Sequence, residues 1–294
     1  MSLPFDQRDG FIWFNGQLVP WKDATLHVLS HGLHYASSVF EGERAYGGVI
    51  FKSTEHSERF RRSAELLDFT VPYSVAELDA AKALVVERNG NPDVYVRPVA
   101  WRGSEMMAVA AQSSTINVAI AVWPWPSMFD IGQKMKGIRL DIAEYRRPDP
   151  RTAPCESKAA GLYTICTISK HAAERKGYAD AMMLDWQGRV AECTGANIFF
   201  TRDGALHTPI ADCFLDGITR RTVINLAGRR GMDVLERRII PDELSSFNEC
   251  FICGTGAEVT PVSEIGPFTF RPGNISRTLV EDYAAEVQPR RAAA

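Results

Sequence analysis

Between Pro124 and Gly137 the chain loses the apolar alternation that precedes it and gathers the turn formers Pro126 and Gly132. A break of this kind within 294 residues favours two mixed bodies over one continuous core, because boundaries fall where turn-rich sequence replaces a periodic pattern. The expected division is a smaller N-terminal domain over 1–123, a linker over 124–137 and a larger domain over 138–294. The length fits one large or two ordinary domains and rules out a small peptide-binding module.

Before the break, residues 11–14 and 17–20 flank Asn15-Gly16 and read as short strands, and residues 49–52 follow the Gly47-Gly48 turn. Apolar spacing predicts helices over 57–67 and 75–88, the second opened by a capping box of Ser74 and Glu77. Residues 95–101 and 116–123 are apolar and β-branched enough for central strands. After the break, strands are expected at 138–143, 181–185, 189–192, 197–201, 205–208, 233–237 and 249–253. Helices are expected at 159–176, 219–229, 242–247 and 276–287, so the fold class is α+β in both halves.

The net charge of -3 gives no basic patch of the kind nucleic acid or an anionic membrane demands, so the expected partner is a small molecule. Residues 1–9 are polar and mixed in charge, and no apolar run reaches the length of a membrane span; the expectation is a cytoplasmic protein. Six cysteines are too sparse for a disulfide framework. Cys250 and Cys253 form a CxxC pair, but in an apolar run they read as buried strand thiols. His27, His31 and His34 lie close together without a carboxylate or cysteine to complete a metal set, so no metal site is expected, and His56, His171 and His207 stand alone.

Lys158 stands in Glu156-Ser-Lys-Ala-Ala-Gly-Leu-Tyr163, where small residues leave room for a flat ring. Taken alone, a lysine near a helix start is more often a solvated surface residue. Ala191-Glu-Cys-Thr-Gly-Ala-Asn197 holds one acid, Glu192, before a run of small residues; on its own it reads equally as a turn acid. Leu215-Asp-Gly-Ile-Thr219 leads into a helix start, a natural seat for phosphate or an ordinary N-cap, and Gly254-Thr-Gly256 adds a second small-residue turn. Together they offer a lysine for an aldehyde, an acid for a ring nitrogen and a phosphate cup, which is what pyridoxal 5′-phosphate chemistry asks of a protein.

In this order, with Trp13-Phe-Asn-Gly16, Ser30-His-Gly-Leu-His-Tyr35, Val39-Phe-Glu-Gly42, Glu55-His56 with Arg59, and Tyr95-Val-Arg97, these motifs resemble the fold-type IV pyridoxal phosphate enzymes along nearly the whole chain. The nearest likeness is to the branched-chain amino acid aminotransferase family. The resemblance implies a D-amino acid aminotransferase-like fold, with a smaller N-terminal α/β domain and a larger barrel-like C-terminal domain. It implies that Lys158 holds the cofactor as a Schiff base and then moves a proton at the substrate Cα. Arg59, Gly217, Ile218, Thr219, Gly254 and Thr255 would bind the cofactor around its phosphate. Tyr163 would bond its phenolic oxygen, Glu192 would face its ring nitrogen, Leu215 would pack on the ring, and Asn197 would join this set.

For the substrate the likeness implies Tyr35, Phe40, Gly42, Tyr95, Arg97, Thr255, Gly256 and Ala257, with the Tyr95–Arg97 pair on one face of a strand to bind a carboxylate. The implied reaction moves the amino group of leucine, isoleucine or valine to 2-oxoglutarate in a ping-pong cycle, in a homodimer or higher homo-oligomer. Departures from the family pattern are Glu43 after Gly42, Arg102 and Glu105 in Trp101-Arg-Gly-Ser-Glu-Met-Met107, and Phe129 where relatives place a tyrosine. They leave open a transaminase for (R)-amines or D-amino acids and, further off, an aminodeoxychorismate lyase. A non-catalytic binding protein is the remaining alternative.

Overall fold

A computed structural model describes residues 3–125 and 130–289. Pro126 and Phe129, and the readings placed on them, lie outside the described residues. The chain divides into two compact units, one formed by 3–125, Ser157–Gly161 and 288–289, the other by 130–156 and Leu162–Val287. The turn-rich break alone would assign all of 138–294 to one body. Ser157–Gly161 joins the first unit instead, because its hydrogen bonds run to a strand and a helix there.

The first unit contains β1 (Phe11–Phe14), β2 (Gln17–Pro20), α1 (His31–Tyr35), β3 (Ser38–Phe40), β4 (Glu43–Tyr46), β5 (Val49–Ile50), α2 (Ser53–Glu65), α3 (Val75–Asn89), β6 (Val94–Arg102) and β7 (Ile116–Pro124). Its sheet runs β2-β1-β7-β6-β4-β5, with β3 paired to β6. Alternation decides its faces. Val94, Val96 and Ala100 of β6 and Val118, Ile120 and Val122 of β7 bury against Phe60, Leu78 and Val85 of the helices. Tyr95, Arg97, Val99, Ala119, Ala121 and Trp123 therefore occupy the opposite face, half-buried. The capping box of Ser74 and Glu77 opens α3 as its spacing predicts. By contrast α2 begins four residues before the expected 57, because Ser53, Thr54 and Ser57 all bond Asp79 and hold the first turn onto α3.

The second unit contains α4 (Ile131–Lys134), β8 (Ile138–Ile142), α5 (Thr164–Arg175), β9 (Asp180–Leu184), β10 (Val190–Cys193), β11 (Asn197–Arg202), β12 (Ala205–Thr208), α6 (Ile218–Arg229), β13 (Val234–Glu236), β14 (Glu249–Gly254), β15 (Glu258–Ile265), β16 (Phe268–Thr269) and α7 (Asn274–Glu286). The sheet order is β10-β9-β8-β15-β14-β11-β12-β13, a half-barrel, with β16 paired to β15. Leu140, Met182, Ile198, Phe200, Ile252 and Val262 form one core beneath it. The expected helix over 159–176 is a 3-10 turn, Ala160–Tyr163, followed by α5, and the expected helix over 242–247 is the 3-10 segment Pro241–Ser246.

The central strand β15 has no counterpart in the sequence reading, and it contains Pro261, which cannot donate to a ladder. The strand tolerates it where Pro261 faces Phe251 of β14, one residue before pairing with β8 begins at Val262. No helix of the described residues is long and apolar enough to cross a membrane.

Candidate active site

In the first unit the segment around Lys158 is pinned from two sides. Its N–H donates to Ser63 Oγ on α2 at 3.0 Å, Ser157 Oγ donates to the Ser63 carbonyl at 2.8 Å, and the Phe40 N–H donates to the Lys158 carbonyl at 3.2 Å. Val39 and Ala159 make a further bridge. The lysine Nζ lies 5.0 Å from the centre of the Phe40 ring, and the Arg97 guanidinium lies 4.7 Å from the same ring. Two cations thus share one aromatic surface. Arg97 Nη2 donates to Tyr95 Oη at 3.3 Å, while its Nε is buried with no hydrogen-bond partner. An arginine shelved on aromatic rings, with no ion pair to an acid among the described residues, is suited to a ligand carboxylate.

Gly42 is a steric requirement of this arrangement, since a Cβ there would lie 2.0 Å from Tyr95 Oη. Next to it, on the same sheet face, an apolar cavity of about 350 Å³ runs from Arg97 past Val99 and Trp101 to Leu26 and Leu33. Tyr35, expected near the substrate, ends α1 half-exposed with its ring stacked 4.5 Å from His31. His31 in turn bonds Ser37 and the Ala108 carbonyl, His34 bonds the Val28 carbonyl, and His27 accepts from the Leu29 N–H. No group of metal-ligating side chains assembles among the described residues.

Arg59 is held by a neighbour the sequence reading passed over. Glu41, fully enclosed, accepts from Arg59 Nε at 2.6 Å and Nη2 at 2.8 Å, and pairs with His56 Nδ1 at 2.7 Å. Burial alone would raise the Glu41 carboxyl, but Arg59 and His56 outweigh it and hold it well below the carboxylate range. Burial in turn lowers the His56 imidazole to about 4, so the ring is neutral at pH 7. Neighbouring signals in Val39-Phe-Glu-Gly42 and Glu55-His56 were visible; their convergence on one arginine was not.

In the second unit the expected cofactor residues converge on Asn197, the first residue of β11. Its Nδ2 donates to Glu192 Oε2 at 3.3 Å and to the Leu215 carbonyl at 3.1 Å. A Cβ on Gly217 would lie 2.2 Å from Asn197 Oδ1, and one on Gly254 would lie 3.2 Å from the Gly195 carbonyl. Gly217 is the N-cap of α6 and makes no side-chain cap, so the amides of Ile218 and Thr219 open the helix toward the turn. Thr255, Gly256 and Ala257 form the turn between β14 and β15, where Thr260 Oγ1 donates to the Ala257 carbonyl. Tyr163 closes the 3-10 turn before α5.

Three of the family departures, Glu43, Arg102 and Glu105, have partners within the first unit. Glu43 is fully buried on β4, 2.8 Å from the equally buried Lys82, and burial pushes its carboxyl up to about 8 against that lysine. Arg102 donates to the Ala111 and Asp68 carbonyls and lies over Phe69. Hydrogen bonding to Thr115 holds Glu105 below its ordinary value.

Residues 38–265 match the family described as Amino-transferase class IV. A probable branched-chain-amino-acid aminotransferase of Rickettsia bellii is 43% identical over 283 residues, 95% of this chain and 96% of that protein. The crystal structure of the T.th. branched-chain amino acid aminotransferase with pyridoxamine 5′-phosphate is 38% identical with a TM-score of 0.93, covering 97% and 96% of the two chains. That of Thermoproteus uzoniensis, with norvaline, is 36% identical with a TM-score of 0.90 and covers 95% of each. Fold, motifs and relatives agree that this chain belongs to the class IV aminotransferases, in the branched-chain aminotransferase family, and is a transaminase of the pyridoxal phosphate type.

Proposed function

We propose that the enzyme moves the amino group of the branched-chain L-amino acids leucine, isoleucine and valine to 2-oxoglutarate through a ping-pong cycle on pyridoxal 5′-phosphate. The observation that carries this reading is the Phe40 ring with Lys158 and Arg97 against it, the Arg97 Nε without a partner: an amine and a carboxylate receptor across one apolar surface. A branched hydrocarbon chain suits the apolar cavity that starts at Arg97.

The residues present fit the cofactor. Uncapped amides at the start of α6, the small residues Gly217 and Gly254 at close approach, and the buried carboxylate of Glu192 suit a phosphate and a ring nitrogen. Arg59, Gly217, Ile218, Thr219, Gly254 and Thr255 would bind around the phosphate, Tyr163 the phenolic oxygen, Glu192 and Asn197 the ring nitrogen, and Leu215 the ring face. When bound, the group supplies an electron sink for the Cα bond. Lys158 would hold it through its amine, and its Nζ would be the base that moves a proton between the substrate Cα and the cofactor C4′. Tyr95 and Arg97 orient the carboxylate, with Tyr35, Phe40, Gly42 and the turn Thr255-Gly256-Ala257 bounding the substrate.

The exposed apolar run that includes Leu26, Val28, Leu29 and Leu33, with Val109, supports a homodimer that covers it. Six free thiols support a reducing, cytoplasmic setting.

The test is the visible spectrum of the cofactor-loaded protein on separate addition of L-leucine, D-alanine and (R)-1-phenylethylamine. Conversion to the pyridoxamine form by L-leucine alone, abolished in Lys158→Ala, is the expected result. Conversion chiefly by the amine or D-alanine moves the enzyme to the (R)-amine or D-amino acid group. Turnover of L-leucine without any spectral change would overturn the assignment of Lys158.

A further inference from the structure

Arg147 lies in the polar stretch 146–154, which the sequence pattern presents only as a connector, yet it is buried. Its N–H donates to the Leu184 carbonyl at 2.7 Å. Its Nε stands 3.4 Å from Glu192 Oε1 and 3.5 Å from the Cys213 carbonyl, and its Nη1 donates to the Leu162 carbonyl at 3.4 Å and to Cys166 Sγ at 3.6 Å. Leu162 immediately precedes Tyr163, and Cys213 stands two residues before Leu215. One guanidinium therefore touches three segments that carry proposed cofactor contacts, all within the second unit. We propose that Arg147 is the positioning residue that keeps Glu192 charged and aimed, and ties it in register to Tyr163 and Leu215.

The physical need is plain. Glu192 is buried, and removal from water favours the neutral carboxylic acid, which cannot stabilise a protonated ring nitrogen. The groups that face it include Asn197 and the thiols of Cys155, Cys166, Cys193 and Cys213. Burial, reinforced by the Glu192 charge, pushes the Cys166 thiol up to about 11, and burial likewise raises Cys193 and Cys213. These thiols stay neutral, whereas Arg147 Nε, 3.4 Å from Glu192 Oε1, brings a positive charge to the carboxylate. The planar fork matters as well as the charge, because it reaches carbonyls on both flanking segments at once.

The inference rests on the reading of Glu192 as the acid for the ring nitrogen. The test uses the full-length, cofactor-loaded protein with ¹³C-carboxyl glutamate, the Glu192 resonance being assigned by its loss in Glu192→Gln. The wild-type resonance is expected to stay flat from about pH 5 to 8, whereas in Arg147→Gln its midpoint rises by at least about one unit, a tenfold weaker acid. Arg147→Lys, which restores the charge without the fork, should return the midpoint to within about half a unit while the cofactor dissociates about tenfold faster. A folded Arg147→Gln with an unmoved Glu192 resonance overturns the proposal. If Arg147→Gln fails to fold, Arg147→Lys decides alone: cofactor release unchanged from wild type overturns it. The ¹⁵N resonance of ring-labelled pyridoxal phosphate separates the two layers. If Glu192 follows Arg147 but the ring nitrogen ignores Glu192→Gln, the role of Glu192 falls and the coupling to Arg147 stands.

Discussion

Each unit contains a buried arginine–carboxylate pair, and the two are built in opposite directions. In the first, Glu41 is wholly enclosed and Arg59 retains 13% of its side-chain exposure; in the second, Arg147 retains 5% and Glu192 12%. The enclosed partner is held by further local bonds: Glu41 gathers Arg59, His56 and the Gly42 amide, and Arg147 gathers two carbonyls and a thiol. The same ion pair thus presents a cation in one place and an anion in the other, according to which partner the fold immobilises. That matches the roles proposed for Arg59 at a phosphate and Glu192 at a ring nitrogen.

The comparison breaks most visibly through stability. Glu41→Gln leaves Arg59 and His56 facing a neutral group in a dry site, and is expected to cost about 3–5 kcal/mol, the usual penalty for removing one partner of an enclosed pair. Glu192→Gln keeps the acceptors that Arg147 already has, so its cost should be about 1–2 kcal/mol. Urea denaturation of both variants measures this. A Glu192→Gln loss equal to or larger than that of Glu41→Gln would reverse the assignment of support and working partner.

A second contrast sits on adjacent parts of one chain segment. Glu41 and Glu43 are both fully buried, but the first has two nitrogen partners that outweigh burial and the second has Lys82 alone, with one carboxylate oxygen unpartnered. Their linkage to pH has opposite sign. The depressed Glu41 carboxyl contributes stability that is present above the unfolded value of 4.5 and lost as pH falls through its folded value. The raised Glu43 carboxyl binds its proton more tightly in the folded state, so its contribution is present below 4.5 and lost as pH rises toward about 8. Glu43→Gln should therefore remove a decline in stability on the order of 4 kcal/mol between about pH 5 and 8. A wild-type Tm that does not fall over that range, with Glu43→Gln tracking it, would show that Lys82 holds Glu43 ionised.

These contrasts mark where sequence reading stops. Helix α3, with Ser74 and Glu77, and the alternation of Tyr95, Val96 and Arg97 follow from local pattern, and so they were legible. So were the small-residue motifs around Lys158, Glu192 and Gly217, because close approach to a flat ring or a phosphate leaves a local trace. Arg147 and Glu41 left none: each acts through partners far along the chain, and a polar connector or a glutamate before a glycine looks the same whether or not a fold encloses it. Ser63, which holds the Lys158 backbone, is a further case. Strand β15 was missed, and its Pro261, which lacks a donor, stands one residue before pairing with β8 begins. Glu43, Arg102 and Glu105 were legible as departures, but the burial of Glu43 and Arg102 among partners of the first unit was not.

The finest version of the comparison uses two glycines. A Cβ at Gly42 would lie 2.0 Å from Tyr95 Oη, and one at Gly217 would lie 2.2 Å from Asn197 Oδ1. In each case the obstructed atom is the tip of a side chain that can swing aside, so Gly42→Ala and Gly217→Ala should each cost only about 1 kcal/mol of stability, the low end for overpacking. The functional effects should diverge. Displacing Tyr95 disturbs the hydroxyl beside Arg97, so Gly42→Ala should raise KM for L-leucine with cofactor affinity unchanged. Displacing Asn197 loosens its bonds to Glu192 and the Leu215 carbonyl, so Gly217→Ala should weaken cofactor retention and leave KM of the loaded enzyme near wild type. Cofactor release and steady-state kinetics on both variants measure the split. If both substitutions move the same parameter, Tyr95 and Asn197 serve one function and the division of labour between the units does not hold at this level.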